Sequence, residues 1–319
     1  MTGGQAARMA KSKPASAEPR EMLATPARVE SAASAAEPSP RHRAFLVVWY
    51  SLNFVLICSF LAAAYCVGWE YSTRRYLKGF SDAIIPLAAS PEEKIASILN
   101  WMAHGPGRQV SAANVPLTDR DPTDTLNYAS LLQVCGTATN AFINLADSSG
   151  LATRRLLLLD SNRATVHVVA EVLIGGRWII VDPAYRTMPR SADGGLLTAQ
   201  DLANSQVFAA ATGNIPGYDS SYAYTLTTHV RVSRIAYMGR PLHAALDRLL
   251  PGWEDSTTAS LLLERKSMAD MTIALAILFL LLLVRTAVRW YGERHMGLRA
   301  MRIRSQMKRA VVAFLDTAS

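Results

Sequence analysis

Cysteine is scarce in this sequence: three occur in 319 residues, and their placement excludes a disulfide framework. Cys58 and Cys66 share one apolar segment. Their separation on a single helix is about 12 Å along the axis, whereas a disulfide needs Cα atoms within about 7 Å. Neither is placed to reach a thiol in a separate folded region, so Cys135 stands alone. Charge is missing from residues 44–69, AFLVVWYSLNFVLICSFLAAAYCVGW. Aromatic residues are missing from residues 1–43, which are rich in Ala, Pro, Ser and Glu. Such a composition buries too little apolar surface to fold and predicts a disordered tail. No internal repeat is visible. The acidic stretch DRDPTDT, residues 119–125, lacks the glycine and distal glutamate of an EF-hand, which leaves an acidic turn in a loop over 106–127.

What is abundant is apolar sequence, half of all residues. The run at 44–69 is long enough to cross a bilayer core of about 30 Å. It is too long and begins too late for a secretory signal peptide, so it reads as an uncleaved anchor. A second run, MTIALAILFLLLLV at 271–284, is flanked by Asp270 and Arg285. Arginine at a helix end can snorkel to the headgroups, so the segment 267–288 spans. Arg285, Arg289, Arg294, Arg299, Arg302 and Arg304 follow this span, against Arg248, Arg265 and Lys266 before it. The bias predicts a cytoplasmic C-terminal tail over 289–319. Two spans then put residues 70–266 outside the cytoplasm, the protein being multi-pass in the inner (plasma) membrane. The net charge of +8 comes largely from the tail. There Met296, Ala300, Ile303, Met307, Val311 and Phe314 recur at helical spacing among the basic residues. That is a basic amphipathic helix suited to an anionic inner leaflet, so the charge points to a membrane surface and away from nucleic acid.

Between the spans, SPEEKIASILNWMAHG reads as a helix. Ser90 is its N-cap, Pro91 its first residue and Glu93 the partner in a capping box. Ile95, Ile98, Leu99 and Met102 form its apolar stripe, and Gly105 stops it. In CGTATNAFINLADSSG, Ala138, Ala141, Phe142 and Leu145 give a second helix closed by Gly150. Three strand-like runs follow, RRLLLLD, TVHVVAEVLI and RWIIVDP, the last two joined by Gly175-Gly176 as a hairpin.

Cys135 opens the second helix, whose positive end favours a thiolate. A small buried hydrophobe is the other reading of a free cysteine. A nucleophile needs a base, and the base an orienting group. With a two-residue or four-residue hairpin loop, Val169 opposes Asp182, and His167 and Val169 share a sheet face. His167 and Asp182 become diagonal neighbours within side-chain reach. A three-residue loop reverses the parity.

On those stretches, over residues 90–205, the chain resembles the transglutaminase-like superfamily, papain-type enzymes with a Cys-His-Asp triad. The resemblance rests on SPEEKIASILNWM, VCGTATNAFINLADSSGLATRRLLLL, HVVAEVLIGGRWIIVDPAY and DGGLLTAQDL. It implies an α+β fold with the nucleophile helix packed on an antiparallel sheet, here between two transmembrane helices. It makes Cys135 the nucleophile, His167 the base and Asp182 the orienter, with no cofactor and no metal. Oxyanion donors are the backbone N–H of Cys135 and the Gln133 side chain. Calcium-dependent tissue transglutaminases carry tryptophan after the cysteine, where this chain has Gly136, and relatives often carry an aromatic where it has Ala170. These departures leave hydrolysis open beside cross-linking. The expected function is a membrane-anchored peptidase, amidase or acyl transferase acting on a peptide or cell-envelope substrate. The alternative is a non-catalytic scaffold in a cell-envelope or exopolysaccharide complex.

Overall fold

The computed structural model describes residues 40–105, 121–230, 239–296, and 311, 312 and 315. Residues 1–39 of the expected disordered tail and most of the expected amphipathic tail lie outside the described residues.

Helix α1 (Pro40–Ile84) contains the expected span but does not stop at 69. No proline interrupts the sequence between Pro40 and Pro86, so the helix runs on past the expected boundary at 70 into the folded domain. Its character changes on the way. Glu70, Thr73, Leu77 and Ser81 recur at helical spacing and are buried, so the last four turns pack against protein. Helix α2 (Pro91–His104) forms as expected: the Ser90–Glu93 capping box is present, the four-residue apolar stripe is buried, and Gly105 caps the end. The 106–127 loop is corrected at its end. Asp121 caps Pro122 at the first position of helix α3 (Pro122–Asn127), a start signal that outweighs the turn reading.

Helix α4 (Cys135–Ser148) follows a 3₁₀ turn at Leu131–Gln133. It is closed by Gly150 at φ +85°, where only glycine is unstrained. Strands β1 (Thr153–Leu159), β2 (Thr165–Ile174) and β3 (Arg177–Val181) come next. Helices α5 (Ala199–Leu202) and α6 (Ser205–Thr212) and strand β4 (Thr227–Thr228) complete the domain's second face and far edge. The antiparallel sheet has the order β3-β2-β1-β4. Ile174 faces Arg177 across the two-glycine loop, so the hairpin register is the one expected. Ala170, Val172 and Val181 pack with Phe142 and Leu145 of α4 on one face. Leu156, Leu158, Val169 and Ile180 pack with Leu202, Phe208 and Tyr224 on the other. The fold is thus helices plus an antiparallel sheet, as expected.

Helices α7 (Gly239–Leu249) and α8 (Thr257–Glu264) lead into α9 (Lys266–His295). This last helix exceeds the expected 267–288, because arginines do not break a helix and the Arg289–Glu293 pair (2.9 Å) supports its last turns. Helices α1 and α9 are long and apolar enough to cross a membrane. Phe54 (68 % exposed), Tyr65 (73 %) and Phe279 (63 %) have no protein cover there. The two helices pack on each other. A Cβ at Gly292 would lie 2.6 Å from the Phe45 ring, so glycine sets the approach. Arg285, expected to snorkel, instead donates to Asn53 Oδ1 (2.8 Å) and lies over the Trp49 ring.

A buried ionic cluster joins these helices to α4. Arg265 donates to Asn144 Oδ1 (2.8 Å), Asp147 Oδ2 (2.9 Å) and Glu70 Oε1 (3.3 Å). Glu70 also accepts from Ser267 (2.7 Å). Next to it, buried Glu264 pairs with Arg155 of β1 and accepts from Asn140 of α4. Removing one member of such a cluster strands the other charge. Arg265→Ala is therefore expected to destabilise by about 3–5 kcal/mol, while Arg74→Ala, on the exposed side of Glu70, changes stability by under about 1 kcal/mol. Thermal midpoints of the purified full-length proteins check the contrast.

Candidate active site

The hairpin ladder ends where the chemistry begins. Ala170 faces Val181, so the next hydrogen-bonded pair in register, two residues further on, would set Val168 opposite Pro183. Proline has no N–H to give, and β3 ends at Val181. Asp182 instead exchanges backbone hydrogen bonds with Thr187 (2.8 and 3.0 Å) in a tight turn. The Val168 edge of β2 is left open, and α4 closes it. Thr139 Oγ1 donates to the Val168 carbonyl (3.0 Å), and the Val168 N–H donates toward the Cys135 thiol. Positions 135 and 139 lie one turn apart on one helix face. A single residue's backbone thereby fixes the height and rotation of the helix that carries the cysteine.

Cys135 is the first residue of α4 and half-buried. His167 and Asp182 are buried, and Nε2 of the ring donates to Asp182 Oδ2 at 2.8 Å. The other ring nitrogen, Nδ1, is buried without a partner of standard hydrogen-bond geometry, yet the ring lies close enough to the thiol for each to shift the other's proton affinity. The structure therefore brings Cys135, His167 and Asp182 together. Gln133 lies exposed at the end of the 3₁₀ turn, and among the described residues its side chain makes no hydrogen bond. The Cys135 N–H, at the first helical position, has no intrahelical acceptor and is the donor that the fold leaves free beside the sulfur.

Electrostatics follow from these contacts. Burial pushes the Cys135 thiol up, but His167, with the Gly136 and Val168 N–H groups, outweighs it, and the net shift is down. Burial pushes the His167 imidazole down, but the Asp182 hydrogen bond and the thiol outweigh it, and the net value is about 9. Both shifts favour thiolate beside imidazolium at neutral pH. The Arg155 guanidinium lies beside Gly136. A Cβ at Gly136 would lie 3.7 Å from its Nη2, so the guanidinium takes part of the space that a large side chain at 136 would need.

Asp182 has four donors. Oδ1 accepts from the Ala184 and Tyr185 N–H groups (3.1 and 3.4 Å), and Oδ2 from His167 and from the Tyr218 hydroxyl (2.9 Å). Tyr222 stacks flat on the imidazole, centroids 4.3 Å apart and planes 6° apart. Tyr185 meets that ring edge-on. These tyrosines escape a reading of the sequence, because 217–224 has neither helical nor strand periodicity. The density of tyrosine there, three in GYDSSYAY, is the signal that could have found them.

Against known families, residues 78–183 match the transglutaminase-like superfamily. The chain carries a transglutaminase-like superfamily domain. Members of this superfamily are in general papain-like cysteine enzymes. The matched segment runs from the end of α1 through Asp182-Pro183, about a third of the chain. It includes Cys135, His167 and Asp182 and leaves out Tyr218 and Tyr222. No curated protein and no solved structure matches the chain.

The transglutaminase-like site has a readable pH signature. Iodoacetamide is expected to alkylate Cys135 well below the ordinary thiol range, and His167→Ala to move the midpoint up, because burial then lacks its main opponent. The His167 shift also has a stability sign. Its folded value near 9 exceeds the unfolded 6.5, so its stabilisation is fully present below about pH 6.5 and lost as pH rises through about 9. The lowered Cys135 thiol contributes with the opposite sign over the same window, so the His167 contribution is read in Cys135→Ser, whose denaturation midpoints should fall as pH rises, a fall that adding His167→Ala should remove.

Proposed function

We propose that this protein is a membrane-anchored cysteine enzyme performing acyl transfer or hydrolysis, of peptidase or amidase type, through Cys135, His167 and Asp182. The observation that carries the reading is the shared proton system: a half-buried thiol at a helix N-terminus beside an imidazole whose far nitrogen is held by a buried carboxylate. The Cys135 thiolate attacks an amide or ester carbonyl and a C–S bond forms. The tetrahedral oxyanion is held by the Cys135 N–H. Imidazolium protonates the leaving amine or alcohol, and that bond breaks. Imidazole then deprotonates water or an amine, which attacks the thioester and returns the thiolate. Asp182 keeps the ring oriented and stabilises its charged form.

The two apolar helices and the arginine bias after the second support the location. The spans lie in the inner membrane, the transglutaminase-like domain faces the extracytoplasmic side, and the basic tail meets the inner leaflet. A domain held there acts on a peptide or a component of the cell envelope, alone or within an envelope complex.

The test uses full-length protein in detergent with p-nitrophenyl acetate, an activated ester that needs no knowledge of the natural acyl group. Wild type is expected to release a pre-steady-state burst of p-nitrophenol and to form an acetyl thioester, with faster turnover when hydroxylamine replaces water as acceptor. Cys135→Ser, which keeps Cys58 and Cys66, should show no burst. His167→Ala should lower acylation by roughly 10²–10⁴-fold. A burst that survives in Cys135→Ser sinks the assignment.

A further inference from the structure

We infer that Tyr218 is a fourth, positioning member of the site, holding Asp182 as an ionised, oriented carboxylate through its hydroxyl. The inference rests on the Cys-His-Asp reading and extends it to a segment beyond the family match.

Asp182 is wholly buried, and a buried carboxylate stays ionised only where donors replace its lost water. The two backbone donors saturate Oδ1. On Oδ2 one donor is the Nε2–H of His167, a ring whose charge comes and goes as Nδ1 exchanges its proton with the thiol. The Tyr218 hydroxyl is the one donor to Oδ2 that takes no part in that transfer. Burial first, then neighbouring Tyr224 and Asp182, push its phenol far above the ordinary range, so it remains a proton donor wherever the enzyme works.

The hydroxyl is aimed by packing. The Tyr218 ring lies 4.4 Å from that of Tyr185 and 6.0 Å from that of Phe208, and its hydroxyl is 3.5 Å from that of Tyr224. Tyr222, four residues on, stacks on the imidazole. One loop therefore touches both partners of the ion pair, the carboxylate by a hydrogen bond and the ring by a flat contact. The titratable groups around Asp182 and His167 are Cys135 from α4, Tyr185 from the turn after β3, and Tyr218, Asp219, Tyr222 and Tyr224 from this loop. Arg186 lies in the same turn but donates to the Ala184 and Leu132 carbonyls (2.9 and 3.5 Å), and among the described residues no lysine or arginine forms an ion pair with Asp182, so the carboxylate is held by hydrogen bonds.

Tyr218→Phe keeps the ring and removes only the oxygen. The readout is the pH profile of iodoacetamide alkylation of Cys135 in the full-length protein, which needs no substrate. The variant is expected to alkylate roughly tenfold more slowly on the acid side, the scale of one charge-assisted hydrogen bond, with the midpoint moved up and the plateau unchanged. Adding Tyr218→Phe to Asp182→Asn should change nothing further, because no carboxylate remains to be held; this pair also covers a single variant that folds poorly. A Tyr218→Phe profile superimposable on wild type, or a further tenfold loss on top of Asp182→Asn, overturns the proposal. If wild type itself shows an ordinary thiol profile that His167→Ala leaves unmoved, the triad reading fails first, and the two failures are distinguishable.

Discussion

One missing hydrogen-bond donor organises this site. Pro183 occupies the position from which a further hydrogen-bonded pair would continue the ladder beyond Ala170 and Val181, and it has no N–H. The strand with the histidine is left with an unpaired edge inside the protein. A buried, unsatisfied backbone group is destabilising by about 1–3 kcal/mol, so some other element must cover Val168. Helix α4 does so with a hydroxyl for the carbonyl, and it brings the Cys135 thiol near enough to the N–H to feel it. The Cys135 thiol is therefore placed by the same contact that covers the sheet.

The second organising feature is a series of buried charges that rely on neighbours in place of water. Asp182 has four hydrogen bonds, two from backbone and two from side chains. Glu264 has Arg155 and Asn140, and Arg265 has three acceptors. Burial costs such groups their hydration, which these hydrogen bonds replace. Here the compensation runs in sequence from the carboxylate through the imidazole to the thiol. Each member is charged because the next one is, which is why the fold must be complete before the thiol differs from an ordinary cysteine.

The legible part of the fold is the local part. Ser90, Pro91 and Glu93 state a helix start in four residues, and two adjacent glycines fix a hairpin register from which His167 and Asp182 can be paired by counting. The same arithmetic leaves out what tertiary packing decides. No pattern in 217–224 announces a regular element, and its tyrosines reach the site only because Phe208 and Tyr224 seat the loop against the sheet. The end of α1 was illegible for a different reason. Hydropathy falls at Glu70 while the helical backbone continues to Ile84, so the change in composition marks no break in the helix. At Asp121-Pro122 the signal was present and outweighed by the turn-like composition around it.

Helix α1 passes without a break from its lipid-compatible turns to its protein-covered ones, and Arg265, at the opposite end of the chain's second long helix, is locked into the same joint. A bilayer that holds these two helices would not hold the thiol on a leash. It would hold it on a strut, at one standoff and one heading. Reach is then a property of whatever approaches: flexible or laterally mobile molecules can present themselves to such a site, and rigid ones anchored elsewhere cannot.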